Sequence, residues 1–226
     1  MSVLPRHVIC VLGPENWLGT ARIVLERFGQ GFRFDEEYSQ DEPDERMLRA
    51  FEVSYDRVAP SMTHSDWAAI DEHASVAYVL SPPLTRESAI EISGNALQLL
   101  SLLLQVGGVA AKSESAGLAH GRGEWLRLAT AARAPGADAT LLVRPWVRRP
   151  LVDDGEFYSC GMHLLGCPDV TCNDEEDVLA AVARIDATTQ ELLDGRLRSP
   201  VTTACFRYEE GDLFFNPWGY VAAGAQ

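Results

Sequence analysis

Three residues whose types could move protons lie within nine positions of one another, Lys112, Glu114 and His120, in the stretch VGGVAAKSESAGLAHGRGEW from Val106 to Trp125. A lysine, a carboxylate and an imidazole can share general acid and base work if one of them reaches a substrate proton. In an extended segment over 109–114 the side chains alternate, so Lys112 and Glu114 point the same way. The loop 115–123, with Gly117, Gly121 and Gly123 around His120, is flexible enough to swing the imidazole over that pair. The alternative is a solvated strand face carrying an ion pair worth about 0–1 kcal/mol.

A second group lies in YSCGMHLLGCPDVTC, where Cys160, His163, Cys167 and Cys172 stand in a C-x2-H-x3-C-x4-C pattern. Four soft ligands so close could close a tetrahedral zinc site. Structural zinc sites more often pair C-x2-4-C knuckles across a longer loop, and Met162, Leu164 and Leu165 between these ligands read as core. Buried free cysteines are the competing reading. Cys160 or Cys167 with His163 or His120 is also the one pairing that could make a thiol nucleophile. In a hydrolase reading, His163 and Asp169 would be folded in beside Lys112, Glu114 and His120.

Signatures of known chemistries are missing. GPENWLG near the N-terminus has neither dinucleotide nor Walker glycines, and there is no G-x-S-x-G elbow, H-E-x-x-H helix or EF-hand loop. No cofactor is implied. The acid pairs Asp153-Asp154 and Glu175-Glu176 read as a solvated turn and as charges complementing a helix start. Of the five tryptophans, Trp17, Trp67 and Trp125 fall on expected helices as packing residues, whereas Trp146 and Trp218 fall in loops, where exposure would make them partner-binding anchors.

The elements that must position these residues follow from periodicity. An inner strand over 6–12, continuously apolar from Val8, leads to a helix over 16–28; an acid-rich surface loop spans 35–46; alternation predicts a half-buried strand over 51–56. Thr63 or Ser65 caps a short helix running to His73, followed by a strand over 75–80. The leucine-dense 85–106 predicts a buried helix, closed by Gly107-Gly108, too interrupted by polar residues for a membrane span. Beyond it come the 109–114 strand, a helix over 122–133, a strand over 140–144, an amphipathic helix over 178–193 and a hairpin of 205–209 with 212–215, ended by Pro217. The first half suggests an α+β fold of the ferredoxin-like split βαβ kind, with helices on one face of a mostly antiparallel sheet. Without a linker or repeat, residues 1–226 read as a single compact domain.

The net charge of −14 and pI near 4.7 leave no basic stripe for nucleic acid, but suit a basic protein partner drawn in by long-range attraction. The N-terminus lacks the pattern of a signal peptide, and five cysteines without a framework of even spacing agree with a cytoplasmic chain.

Gly107-Gly108, the Lys112 to His120 strand and loop, Gly161-Met162, Gly166 and Pro168-Asp169, followed by an acidic amphipathic helix, are similar to an uncharacterised bacterial family, domain-of-unknown-function family 4261. The resemblance covers most of the second half and implies no reaction. Small acidic bacterial α+β domains of this general kind include immunity proteins. The leading expectation is therefore a non-enzymatic cytosolic protein that binds another protein, such as a basic toxin domain, and neutralises it. The alternative is a hydrolase at Lys112, Glu114 and His120.

Overall fold

A computed structural model describes residues 4–58, 60–153, 155–172, 177–197, 205–209 and 212–223. The N-terminal part runs β1 (Val8–Gly13), α1 (Leu18–Phe28), β2 (Arg33–Phe34), α2 (Met47–Ser54), α3 (His64–Asp71), β3 (Ser75–Leu80), α4 (Ala89–Gln105), β4 (Ala110–Ser113), β5 (Leu118–His120) and α5 (Arg122–Ala131). Its five strands form one sheet in the order β2-β3-β1-β4-β5, with every neighbouring pair antiparallel. α1 links β1 to β2, and α4 links β3 to β4; each connection skips a strand.

Both faces of this sheet are covered, which corrects the expected one-sided packing and explains why β1 is apolar at successive positions. Ile9 and Val11 face α1, α4 and α5 within the largest core cluster, whereas Cys10 and Leu12 face Met47, Phe51 and Ile70 from α2 and α3. Helix α2 replaces the strand expected over 51–56. Met47, Phe51 and Ser54 are its buried positions, a spacing of four and three that a helix places on one face. Thr63 caps α3 in a reciprocal capping box with Asp66, as a Thr at that position permits. Helix α4 buries nine of its seventeen residues. After it Gly107 takes φ 117°, and an added Cβ there would come within 3.2 Å of the Trp17 ring.

The second part continues with a 3-10 turn (Ala139–Leu142), α6 (Val143–Trp146), β6 (Arg148–Asp153), β7 (Glu156–Cys160), a 3-10 turn (Met162–Leu165), β8 (Asp169–Cys172), α7 (Val178–Leu193), β9 (Cys205–Glu209), β10 (Asp212–Asn216) and β11 (Tyr220–Ala222). The strand expected over 140–144 is thus helical. A sheet in the order β11-β8-β7-β6 has one parallel pair, β11 with β8, while β9 and β10 form a separate antiparallel hairpin. The molecule is α+β with two mostly antiparallel sheets. The core cluster that starts on β1 and α4 continues through Trp146, Leu164, Val170, Ile185 and Val221. No described helix is long and apolar enough to cross a membrane. The acidic 173–176 stretch, Asp154 and Glu210-Gly211 lie outside the described residues.

Candidate functional site

Lys112, the chain's only lysine, sits on β4 in a cross-strand row: its position lies opposite Cys10, which lies opposite Tyr78 on β3. The Lys112 Nζ is 3.0 Å from Glu114 Oε2, and both side chains stand on the α2/α3 side of the sheet, with Lys112 only 6% exposed. The Tyr78 hydroxyl donates to Glu114 Oε1 at 3.5 Å. Beneath them, burial pushes the Cys10 thiol and the Tyr78 phenol well above their usual ranges, and the Glu114 carboxylate adds to both shifts. Cys10 is a protonated thiol against the Met47 sulfur, 4.0 Å away.

His120 is on the other face. In the β4/β5 register it lies opposite Ala111, whereas Lys112 lies opposite Ala119, so the imidazole points toward α5 and α6 and away from the lysine. It is 2% exposed, with Nδ1 at 3.5 Å from Asp56 Oδ2, Nε2 at 3.1 Å from the Arg144 carbonyl, and its ring edge-on to Trp125 at 4.7 Å. Burial lowers its pKa, opposed by Asp56 and by the Arg144 carbonyl. Nearby, Glu124 holds Arg127 at 2.7 Å and Arg144 at 3.1 Å, and these contacts, led by Arg127, keep its carboxyl below the usual range. The three residues that could have shared proton transfer are therefore split by the sheet itself.

His163 and Asp169 are separated from them and from each other's chemistry. His163, in the 3-10 turn before β8, is 5% exposed; its Nδ1 has no partner, and burial lowers its pKa to about 4. Its electrostatic neighbour is His7, fully buried, whose pKa is lowered to about 3, first by burial and then by His163. His7 Nε2 meets Ser93 Oγ at 2.7 Å, Ser93 donates on to the Leu164 carbonyl, and the His7 ring packs on Trp146. Asp169 is a junction: it accepts from Ser159 Oγ and Met162 N–H, both at 3.0 Å, and from Asn216 Nδ2 at 2.7 Å. Burial outweighs these bonds and raises its pKa to about 6.

The zinc expectation fails on parity. Phe157 lies opposite Cys172 and shares its side of the β6 to β8 sheet in the main core, whereas Tyr158 and Cys160 belong to a separate cluster on the other side. Cys160 and Cys172 cannot converge on one ion, and among the described residues no group of three or more His, Cys, Asp or Glu could hold a metal. In the thiol-nucleophile pairing, burial raises Cys167 to about 11, away from the thiolate, and Cys160 is itself only 1% exposed.

Trp146 is completely buried, its Nε1 donating to the Ser93 carbonyl at 3.1 Å, so it is core and not an interface anchor. Gly161 is its counterpart: φ is 123°, and a Cβ there would sit 2.0 Å from the Trp146 carbonyl oxygen. Trp218 is half-buried, with the Arg86 guanidinium 5.8 Å from its ring. Tyr78, Asp56, Ser93 and His7 carry the polar contacts at these places without having been singled out for them. Only Lys112 carried an unused signal, its uniqueness in the composition.

The acid-rich 35–46 segment is largely exposed. Glu36, Glu37, Tyr38, Asp41, Glu42 and Glu45 are exposed, Tyr38 by 63%. Its backbone is nevertheless fixed to β3: Asp35 N–H donates to the Tyr78 carbonyl, Tyr78 N–H to Ser39 Oγ, and Gln40 exchanges two backbone bonds with Val76, all at 2.9 Å. Comparisons with protein families, curated proteins and solved structures gave no match for this chain.

Proposed function

We propose that this protein is a non-enzymatic cytoplasmic protein that works by binding a basic protein partner, in the manner of an immunity protein neutralising a toxin, and that it belongs to family 4261 as its sequence resemblance implies. The observation that carries the reading is the 35–46 segment, an acidic ridge with an exposed tyrosine whose backbone is already anchored to β3. A pre-ordered acidic surface loses little conformational entropy on docking and attracts a cationic partner from a distance. Tyr38 gives it a rigid aromatic contact of the kind that dominates interface energetics. The split of Lys112 from His120 removes the main support for a hydrolase.

Co-expression with the product of the adjacent gene, followed by size-exclusion chromatography, tests the proposal. Co-elution that weakens about tenfold or more in Tyr38→Ala, and that falls steeply with salt, is expected. A toxic neighbour whose growth inhibition is not relieved, together with no co-elution, would overturn it.

A further inference from the structure

A cavity of ≈ 260 Å³ lies between two stretches of consecutive residues, Tyr55 to Val58 after α2 and Arg148 to Val152 of β6. Its walls are runs of backbone, which gives it the form of a slot. One wall continues the five-stranded sheet: Tyr55 is extended and bridges in parallel to Ala119 of β5, and Asp56 N–H donates to the Ala119 carbonyl at 2.8 Å. The other wall is an edge. β6 is the last strand in the order β11-β8-β7-β6, and no described strand pairs with its far side. Pro150 supplies no N–H there, a residue type that edge strands tolerate and central strands do not. An open edge beside a slot is where an extended segment can add through main-chain hydrogen bonds.

The charge of the slot runs against that of the chain. Asp56 is its one acid, and both carboxylate oxygens are occupied, Oδ1 by the Val58 N–H at 2.8 Å and Oδ2 facing His120 at 3.5 Å, with the side chain 8% exposed. Arg57 is exposed, makes no ion pair among the described residues, and rests its guanidinium 5.6 Å from the Tyr55 ring. Arg148 brings a second guanidinium, whose Nη2 donates to the neutral Val53 carbonyl at 2.8 Å. Arg149 is matched by Asp186 and adds no free charge. Val58 and Val152, 40% and 54% exposed, make the rim partly apolar.

We propose that this slot is a docking site for an extended acidic segment of a partner protein. The segment adds along β6 as an outer strand, sets carboxylates against Arg57 and Arg148, and lays apolar side chains on Val58 and Val152. The site lies beyond β5, at the opposite edge of the first sheet from β2, and is independent of the acidic ridge.

The test is fluorescence anisotropy of short labelled peptides titrated with the full chain at low ionic strength. One peptide alternates glutamate and valine, a second alternates glutamine and valine, and a third is the acidic peptide with alternate backbone nitrogens methylated. Saturable binding of the acidic peptide is expected, weakening as salt is added. The glutamine peptide should bind about tenfold or more weakly, and so should the acidic peptide to Arg57→Glu, a substitution on an exposed side chain that leaves the fold intact. The methylated peptide keeps its charge but loses strand donors, and should also bind about tenfold or more weakly. Arg33→Ala, at the far edge of the first sheet, should change nothing. No binding of the acidic peptide, or an affinity unchanged by Arg57→Glu, by glutamine or by methylation, would overturn the proposal, as would an equal loss in Arg33→Ala. Self-association in sedimentation that the acidic peptide dissolves would overturn it too, by giving the slot to a second copy of the chain.

Discussion

Asp169 and the His7/His163 pair flank the same turn, Met162–Leu165, and are buried to nearly the same degree, but their polar atoms are treated in opposite ways. Asp169 receives hydrogen bonds from a side chain of β7, a backbone amide of the turn and the last residue of β10. The two histidines each keep a ring nitrogen with no partner at all. The satisfied node ties three elements together; the unsatisfied one is tolerated as bulky, neutral filler among Trp146 and its neighbours. Burial of a polar group is thus no measure of how much structure depends on it.

Removing Asp169 should have the largest effect. Asp169→Ala strands the Ser159 hydroxyl, the Met162 amide and the Asn216 side chain, and a loss of about 3–5 kcal/mol in urea unfolding is expected. A loss under 1 kcal/mol would show that Asp169 is as dispensable as the histidines.

Next comes pH. His7 and His163 have folded pKa values of about 3 and about 4, below the ordinary 6.5, so the unfolded chain takes up protons first and stability falls as pH drops from about 6.5 to 3. Asp169 runs the other way: raised from 3.8 to about 6, it makes the folded state take up its proton first, adding stability as pH falls through that window. The two histidines should prevail, giving net acid destabilisation measurable by denaturant titration across pH, and His163→Leu should move the acid midpoint downward. An unchanged midpoint would mean that the imidazoles are not what acid unfolds.

The smallest effect belongs to the Lys112 and Glu114 pair, in which the lysine is buried but the carboxylate is partly solvated. Lys112→Met should cost no more than about 1 kcal/mol in the same assay, since Glu114 is still in reach of water and Tyr78. A larger loss would place this pair beside Asp169 as a junction.

Periodicity alone reached the strands over 6–12 and 75–80, the buried leucine helix and the shared side of Lys112 and Glu114. It failed where pairing register decides. His120 faces away from Lys112 because the 114–117 turn sets Ala111 opposite it, and a slip of one residue would have reversed its side. Cys160 and Cys172 look close in sequence, but they belong to different strands with opposite parity. For α2, Phe51, Val53 and Tyr55 alternate like a strand, and only the partner surface offered by Cys10 and Leu12 selects the helical face instead. The slot between Tyr55 to Val58 and β6 has no signature in a sequence, since its two walls come from distant parts of the chain.

The central position of β1 has a consequence for how the chain is made. Its hydrogen-bonding partners are as far away as Leu80 and Ser113, so the nascent chain must extend to Leu80 before one edge of β1 is closed and to Ser113 before the other is. During that interval VICVLG is a sticky, unpaired ribbon, and a nascent chain of this protein should be a client for chaperones that recognise short apolar segments.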